Sequence, residues 1–140
     1  MMPSHRKRVA AEDEDANIAS FGPEFQDVRC LLISEVKVLL DVYRGRKNEI
    51  PGGDDTVTET MQKTMDYCAK FSKFNNKQTV QQIRMLFPSE EFHEFEMAQL
   101  ANLTCESAEE ALTLIPSLAR VKEDDLQTKL TELVHLREFQ

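Results

Sequence analysis

Residues 26–44 constrain the fold most, because their apolar side chains would surround most of a helix. At about 100° per residue, a central apolar stripe is formed by Val28, Leu32, Val36, Leu39 and Tyr43. Further apolar residues border it on both sides: Leu31, Val38 and Val42 on one, Ile33 and Leu40 on the other. An ordinary surface helix has a single apolar stripe. We therefore predict a helix over 26–44 that is either central in its own fold or shared between that fold and a partner.

Five further helices are predicted from periodicity and capping residues. The second covers about 57–73, and the third begins after Asn75 and ends near Phe87. The fourth is predicted to start with Ser89 as its N-cap. The fifth begins at Ser107, which forms a capping box with Glu110, and ends near Pro116. The sixth covers 123–139, so the pattern predicts an all-α bundle.

The domain organisation is predicted to be simple. Residues 1–17 read as a disordered charged tail, because they hold too few apolar groups to offset the entropy of ordering. Residues 18–140 are expected to form one domain, with an extended apolar arm over 18–25 and a flexible Gly- and Pro-rich loop over 45–56. No apolar run approaches the roughly 20 residues of a membrane span.

Charge and cysteine content limit the function classes. The net charge of −8 argues against a stand-alone nucleic-acid binder, because phosphate binding needs an excess of Lys and Arg. The three separated cysteines, Cys30, Cys68 and Cys105, read as reduced thiols of a cytosolic or nuclear protein.

The sequence predicts no catalytic, cofactor or metal site. The three histidines never approach metal-ligand spacing. A nucleophilic Cys105 has no supporting motif, and a buried cysteine is usually a small hydrophobe. Lys70-Phe71-Ser72-Lys73-Phe74 interleaves basic and aromatic residues, as base-stacking surfaces do, but without a wider basic field we favour a structural role.

Four stretches resemble the fourth-subunit family of eukaryotic RNA polymerase II. In order, they are LLISEVKVLL, MQKTMDYCAKFSKFNNKQTVQQIRMLF, FEMAQLANLTCESAEEALTLIPSL and the terminal REFQ. The resemblance runs from about Phe25 to Gln140, and its most specific part is LANL followed by ESAEEA and LIPSL. It implies a helical bundle similar to the helicase-and-RNase-D C-terminal (HRDC) domain.

The resemblance also implies a function without an active site of its own. The family's subunit pairs with the seventh subunit, which carries an oligonucleotide-binding (OB-fold) barrel, and the pair forms the polymerase stalk. The stalk supports transcription initiation, meets nascent RNA mainly through the barrel partner, and links transcription to mRNA export and decay. A nuclear protein that shuttles to the cytoplasm is implied, with no membrane partner and no cofactor.

A partner of this kind would cover the apolar arm and one side of the first helix. A short strand in the arm could add to the edge of a partner sheet. We infer the following partner-binding residues: Ile18, Phe21, Phe25, Val28, Leu31, Leu32, Glu35 and Val42.

Three alternatives stay open at the level of sequence. The chain could serve the equivalent stalk of RNA polymerase III or of a plant silencing polymerase. It could be a self-sufficient helical nucleic-acid-binding domain. It could also be an enzyme that uses Cys105 as a nucleophile.

Overall fold

The computed structural model describes residues 14–49 and 57–140, and in these ranges the chain is helical with no β-strand. The prediction of an all-α protein is confirmed. Similarity to the HRDC domain stays a prediction. The α-helices of the described residues are α1 (Ile33–Glu49), α2 (Glu59–Phe71), α3 (Lys77–Leu86), α4 (Glu94–Leu103), α5 (Ala108–Leu114) and α6 (Glu123–Glu138), with short 3-10 helices at Ala16–Ile18 and Pro116–Arg120.

The hydrophobic core is built mainly by the second half of the chain. Helix α6 contributes Leu126, Leu130 and Leu133, which the 100° rule places on one face. The other fully buried residues include Leu32 before α1, Ile83 of α3, Leu100 of α4, Ala111 of α5 and Leu118 of the second 3-10 helix. Helix α2 packs mainly against α1, so α1 and α2 form a pair on this core.

Local capping signals place the start of α5 correctly. The Ser107 hydroxyl accepts a hydrogen bond from the Glu110 backbone N–H at 3.1 Å, as predicted. The reciprocal bond differs, because the Glu110 carboxylate accepts from the N–H of Glu106 rather than Ser107. Pro116 follows the end of α5 and opens a 3-10 helix that the sequence pattern did not predict.

Two predicted helix starts are wrong, that of α3 by one residue and that of α4 by four. Helix α3 is capped by Asn76, whose side chain accepts from the Gln78 N–H, rather than by Asn75. Helix α4 begins at Glu94, not after Ser89, because the N–H groups of Glu91 and Phe92 both bond to the Pro88 carbonyl in a separate turn. That turn buries the Phe92 ring in the core.

The predicted limits of the first helix, 26–44, are also wrong at both ends. It starts seven residues later, since side chains from other elements bind the backbone around Cys30. It also continues to Glu49, so residues 45–49 are not loop, and residues 50–56 of the predicted loop lie outside the described residues. Gly45 lies in the helix, and beyond its chain neighbours and the backbone of its own helix no heavy atom lies within 4 Å of the position of a Cβ.

The N-terminal arm is compact where the structure describes it. Most of the predicted tail, residues 1–13, lies outside the described residues, but residues 14–17 are part of a turn. Asp15 accepts a hydrogen bond from the Asn17 N–H at 2.9 Å and forms a single bridge with Ser20. Residues 16–19 therefore pack against the second 3-10 helix, and the addition of a strand from the arm to a partner's sheet stays a prediction.

Candidate partner interface

Helix α1 places polar side chains at the edge of its contact with α2 and leaves an apolar stripe exposed to solvent. Lys37, Asp41 and Arg44 line a shallow groove against α2 together with Leu40, and Asp41 and Arg44 remain exposed there. Its outer face consists of residues that are 40% to 55% exposed: Val38, Leu39, Val42 and Tyr43. A helix that stands alone on a core would have the opposite arrangement. The outer face therefore has the character of a surface that another protein covers.

The linking segment, residues 28–32, continues this apolar surface to the start of α1. Val28 and Leu31 are 47% and 45% exposed, whereas Leu32 is 0% exposed. The segment has no regular secondary structure. Its position must therefore come from contacts with other elements.

Arg84 of α3 binds the linking segment through its guanidinium group. Its Nη2 donates to the Cys30 carbonyl at 2.9 Å and to Glu35 Oε1 at 2.6 Å. Its Nε donates to Glu35 Oε2 at 3.2 Å, and Nη1 lies 3.4 Å from Glu94 Oε2. The two carboxylates in turn accept backbone hydrogen bonds, Glu94 from the Cys30 N–H and Glu35 from the Leu32 N–H. We call Arg84, Glu35 and Glu94 the clamp.

The electrostatics of the clamp favour its charged form. Burial alone would lower the pKa of Arg84, but the hydrogen bonds and charges of Glu35 and Glu94 outweigh it and raise that pKa above its ordinary value. Burial and the neighbouring Glu94 raise the pKa of the Cys30 thiol. Arg84 therefore stays a cation, and Cys30 stays a neutral thiol at neutral pH.

The arm adds a second apolar surface beside the linking segment. Ile18 and Phe25 are 72% and 61% exposed, while Phe21 packs edge-on against Phe95 with ring centroids 4.8 Å apart. Between the arm and α4 lies an open cleft of about 740 Å³ that Phe25, Val28 and Phe95 help to line. The cleft joins the arm to the linking segment.

Comparison with known proteins then assigns the chain to a family. Residues 30–137 match the family model RNA polymerase Rpb4. The chain belongs to the RNA polymerase Rpb4 family. This confirms the resemblance inferred from the four sequence stretches.

Named relatives of this Rpb4-family chain share most of its length. It is 39% identical to the DNA-directed RNA polymerase II subunit rpb4 of Schizosaccharomyces pombe, over 91% of this chain and 95% of the relative. It is 36% identical to the protein of the same name from Dictyostelium discoideum, over 98% and 97% of the two chains. DNA-directed RNA polymerase II subunit 4 of Arabidopsis thaliana is 29% identical, over 92% and 97%.

The structure separates the predicted interface residues of this Rpb4-family chain into two groups. Five are exposed along the arm, the linking segment and α1: Ile18, Phe25, Val28, Leu31 and Val42. Phe21 is half-buried against Phe95, and the Glu35 carboxylate is engaged in the clamp. Leu32 is corrected: its fully buried side chain packs in the core of its own chain, so it offers no surface to a partner.

Sequence reasoning missed three exposed residues, Val38, Leu39 and Tyr43. A usable signal existed, because Val38 and Leu39 lie on either side of Val42 in the helical projection. The projection could not tell which part of an almost continuous apolar arc faces α2. That choice depends on tertiary contacts.

The other candidate chemistries have little structural support. Among the described residues, no group of three or more His, Cys, Asp and Glu side chains could hold a metal ion. Cys105 is fully buried, and burial together with Glu110 raises the pKa of its thiol. In the basic–aromatic stretch, Phe74 is buried and the Lys73 ammonium bonds to the Leu103 carbonyl and the Thr104 hydroxyl.

In the part of the chain that the structure describes, no helix combines the length and hydropathy needed to cross a membrane.

Proposed function

We propose that this chain is a non-catalytic subunit of DNA-directed RNA polymerase II that forms the stalk heterodimer with the seventh subunit. Relatives of similar length are named as subunits of that polymerase. The observation that carries the proposal is the outer face of α1, where apolar side chains point away from the chain's own core. This face and the linking segment would bind the seventh subunit.

The proposed interface has the character of a stable subunit contact. The outer face supplies an aliphatic pair, Val38 and Val42, and an aliphatic–aromatic pair, Leu39 and Tyr43, both at helical spacing. The linking segment and arm extend it with Val28, Leu31 and Phe25. Obligate interfaces are more hydrophobic than transient ones. Leu32 and Glu35 are not proposed to touch the partner, since Leu32 packs in the core and Glu35 binds Arg84.

The wider roles follow from membership of the stalk. The subunit would support transcription initiation and the handling of nascent RNA, act in the nucleus, shuttle to the cytoplasm and couple transcription to mRNA export and decay. Its net charge of −8 fits a subunit that leaves most RNA contact to the OB-fold partner. It would reach the polymerase core through that partner.

The test is co-purification with the seventh subunit. The two chains, expressed together, should elute as a one-to-one complex by size-exclusion chromatography with light scattering. Backbone amides of the linking segment and α1 should then exchange more slowly with deuterium than in the free chain. A chain that stays monomeric in the presence of the seventh subunit would contradict the proposal.

The matched control uses the corresponding stalk partner of RNA polymerase III. Preference for the polymerase II partner would support the assignment, and preference for the polymerase III partner would assign the chain to a paralogous stalk. Tight RNA binding by the isolated chain, with a steep dependence on salt, would instead favour a self-sufficient nucleic-acid-binding domain.

A further inference from the structure

The linking segment depends on side chains of α1, α3 and α4 for its hydrogen bonds. The Cys30 N–H donates to Glu94 at 3.1 Å, the Cys30 carbonyl accepts from Arg84 at 2.9 Å, and the Leu32 N–H donates to Glu35 at 3.0 Å. The next N–H, of Ile33, donates to the Asn102 side chain at 3.1 Å. Apart from the Leu32 carbonyl, which accepts from the Val36 N–H, the segment makes no helix or sheet hydrogen bond, so its order depends on these side-chain bonds together with the burial of Leu32.

Arg84 is the only cation of the clamp, and it connects both carboxylates. Its side chain is 16% exposed, and those of Glu35 and Glu94 are 18% and 33% exposed. Without the guanidinium, two partly buried carboxylates would face each other without a counter-charge. Neither carboxylate would then be held in a fixed position, and the hydrogen bonds that they accept from the Cys30 and Leu32 N–H groups would weaken.

We propose that Arg84 is a positioning residue for the interface with the seventh subunit, acting through the linking segment to set Val28 and Leu31 before the partner binds. The inference rests on the proposed function. Arg84 itself contributes little exposed surface, so its effect on binding would come from preorganisation, which reduces the ordering cost of association. Helix α3 thereby acts on an interface to which it supplies no apolar contact.

The first experiment measures the free chain. Hydrogen–deuterium exchange resolved to single amides should show faster exchange at Cys30 and Leu32 in Arg84→Gln, while Leu130 in α6 keeps its protection. Arg84→Lys keeps the charge but lacks the planar fork that binds two carboxylates and a carbonyl, so it should give an intermediate rate. Equal exchange at Cys30 and Leu32 in wild type and Arg84→Gln would overturn the inference without reference to any partner.

The second experiment measures binding of the full chain to the seventh subunit. Arg84→Gln should raise the dissociation constant about tenfold. In a double-mutant cycle, Arg84→Gln and Leu31→Ala should be strongly non-additive, because both act through the linking segment. Arg84→Gln and Val42→Ala should be nearly additive, since Val42 lies on α1.

The outcomes separate the inference from the proposed function. If wild type binds the seventh subunit and Arg84→Gln binds equally well, the positioning role is overturned and the proposed function stands. If wild type does not bind, the proposed function fails and the interface role fails with it. Should Arg84→Gln not fold, Glu35→Gln, which keeps the size of the side chain and an acceptor oxygen, replaces it in the double-mutant cycle. The same outcomes then support or overturn the positioning role.

Discussion

Glu96 of α4 and Arg120 of the second 3-10 helix form a two-pronged ion pair, with Nη1 2.6 Å from Oε1 and Nη2 2.8 Å from Oε2. The carboxylate is fully buried and also accepts from the Ser117 hydroxyl and the His93 N–H. Arg120 Nη2 donates further to the Glu91 carbonyl. This pair and the bond to Glu91 join α4 and the turn before it to the 3-10 helix that follows α5.

Arg120→Ala should destabilise the protein by about 3 kcal/mol, because it leaves a buried carboxylate without its cation. We place the effect at the lower end of the usual range since the Arg120 side chain is 42% exposed. Urea unfolding should show a lower midpoint with an unchanged slope. The matched control is Arg46→Ala, at an exposed position of α1, and equal midpoints for the two variants would contradict the prediction.

Glu96 should also make stability depend on pH in the acid range. Burial alone would raise the pKa of Glu96, but hydrogen bonds from Arg120, Ser117 and His93 hold it below its ordinary value of 4.5. The unfolded chain therefore binds the proton more readily than the folded one. The stabilisation is fully present above about pH 4.5 and is lost as pH falls towards the folded pKa.

The measurement is the free energy of unfolding from pH 7 downward in wild type and Glu96→Gln. Wild type should lose stability below about pH 4.5 more steeply than the variant, whose amide does not titrate. Parallel curves for the two proteins would show that Glu96 does not contribute to this pH dependence.

Val42→Asp should weaken binding to the seventh subunit by about thirtyfold or more, the effect of removing a central apolar contact. The free chain should keep its stability, because Val42 is 46% exposed. Isothermal titration calorimetry and urea unfolding measure the two effects. Met85→Asp is the control, since Met85 is an exposed apolar residue of α3 at 80% exposure, and equal losses for both variants would argue against the outer face as the interface.

Gln140→Ala should cost about 1 kcal/mol and speed amide exchange at Asn75. The Gln140 side chain accepts from the Asn75 N–H at 2.8 Å and donates to the Lys73 carbonyl at 2.8 Å. Gln140→Glu keeps the acceptor and loses the donor, so it should fall between wild type and Gln140→Ala. Unchanged exchange at Asn75 in Gln140→Ala would show that this contact does not order the α2–α3 connection.

Cys105 should react with iodoacetamide much more slowly than Cys30 in the folded protein. The Cys105 thiol is fully buried, whereas Cys30 is half-buried, and burial raises the pKa of both thiols. The thiolate is the reactive form. Mass spectrometry of labelled peptides gives the order, and faster labelling of Cys105 than of Cys30 would revive the nucleophile hypothesis.

Short-range patterns predicted the helices where the deciding contacts are local. Helix α6 lies almost where its apolar spacing places it, and Ser107 caps α5 as its neighbours dictate. Pro116 ends α5 because a proline restricts the residue before it. The family resemblance likewise depends on short sequence motifs, which can be recognised without the structure.

Tertiary structure decided what the proposed interface presents. The apolar pattern of 26–44 allowed a helix from residue 26, yet Arg84 and Glu94, distant in sequence, bind the backbone of Cys30 and keep it out of the helix. Asn102 accepts from the N–H of Ile33, where the helix begins. The same packing buries Leu32 and leaves Val42 exposed. A helical projection gives the angle between two side chains, but the position of α2 and the core determines which side of the helix faces solvent.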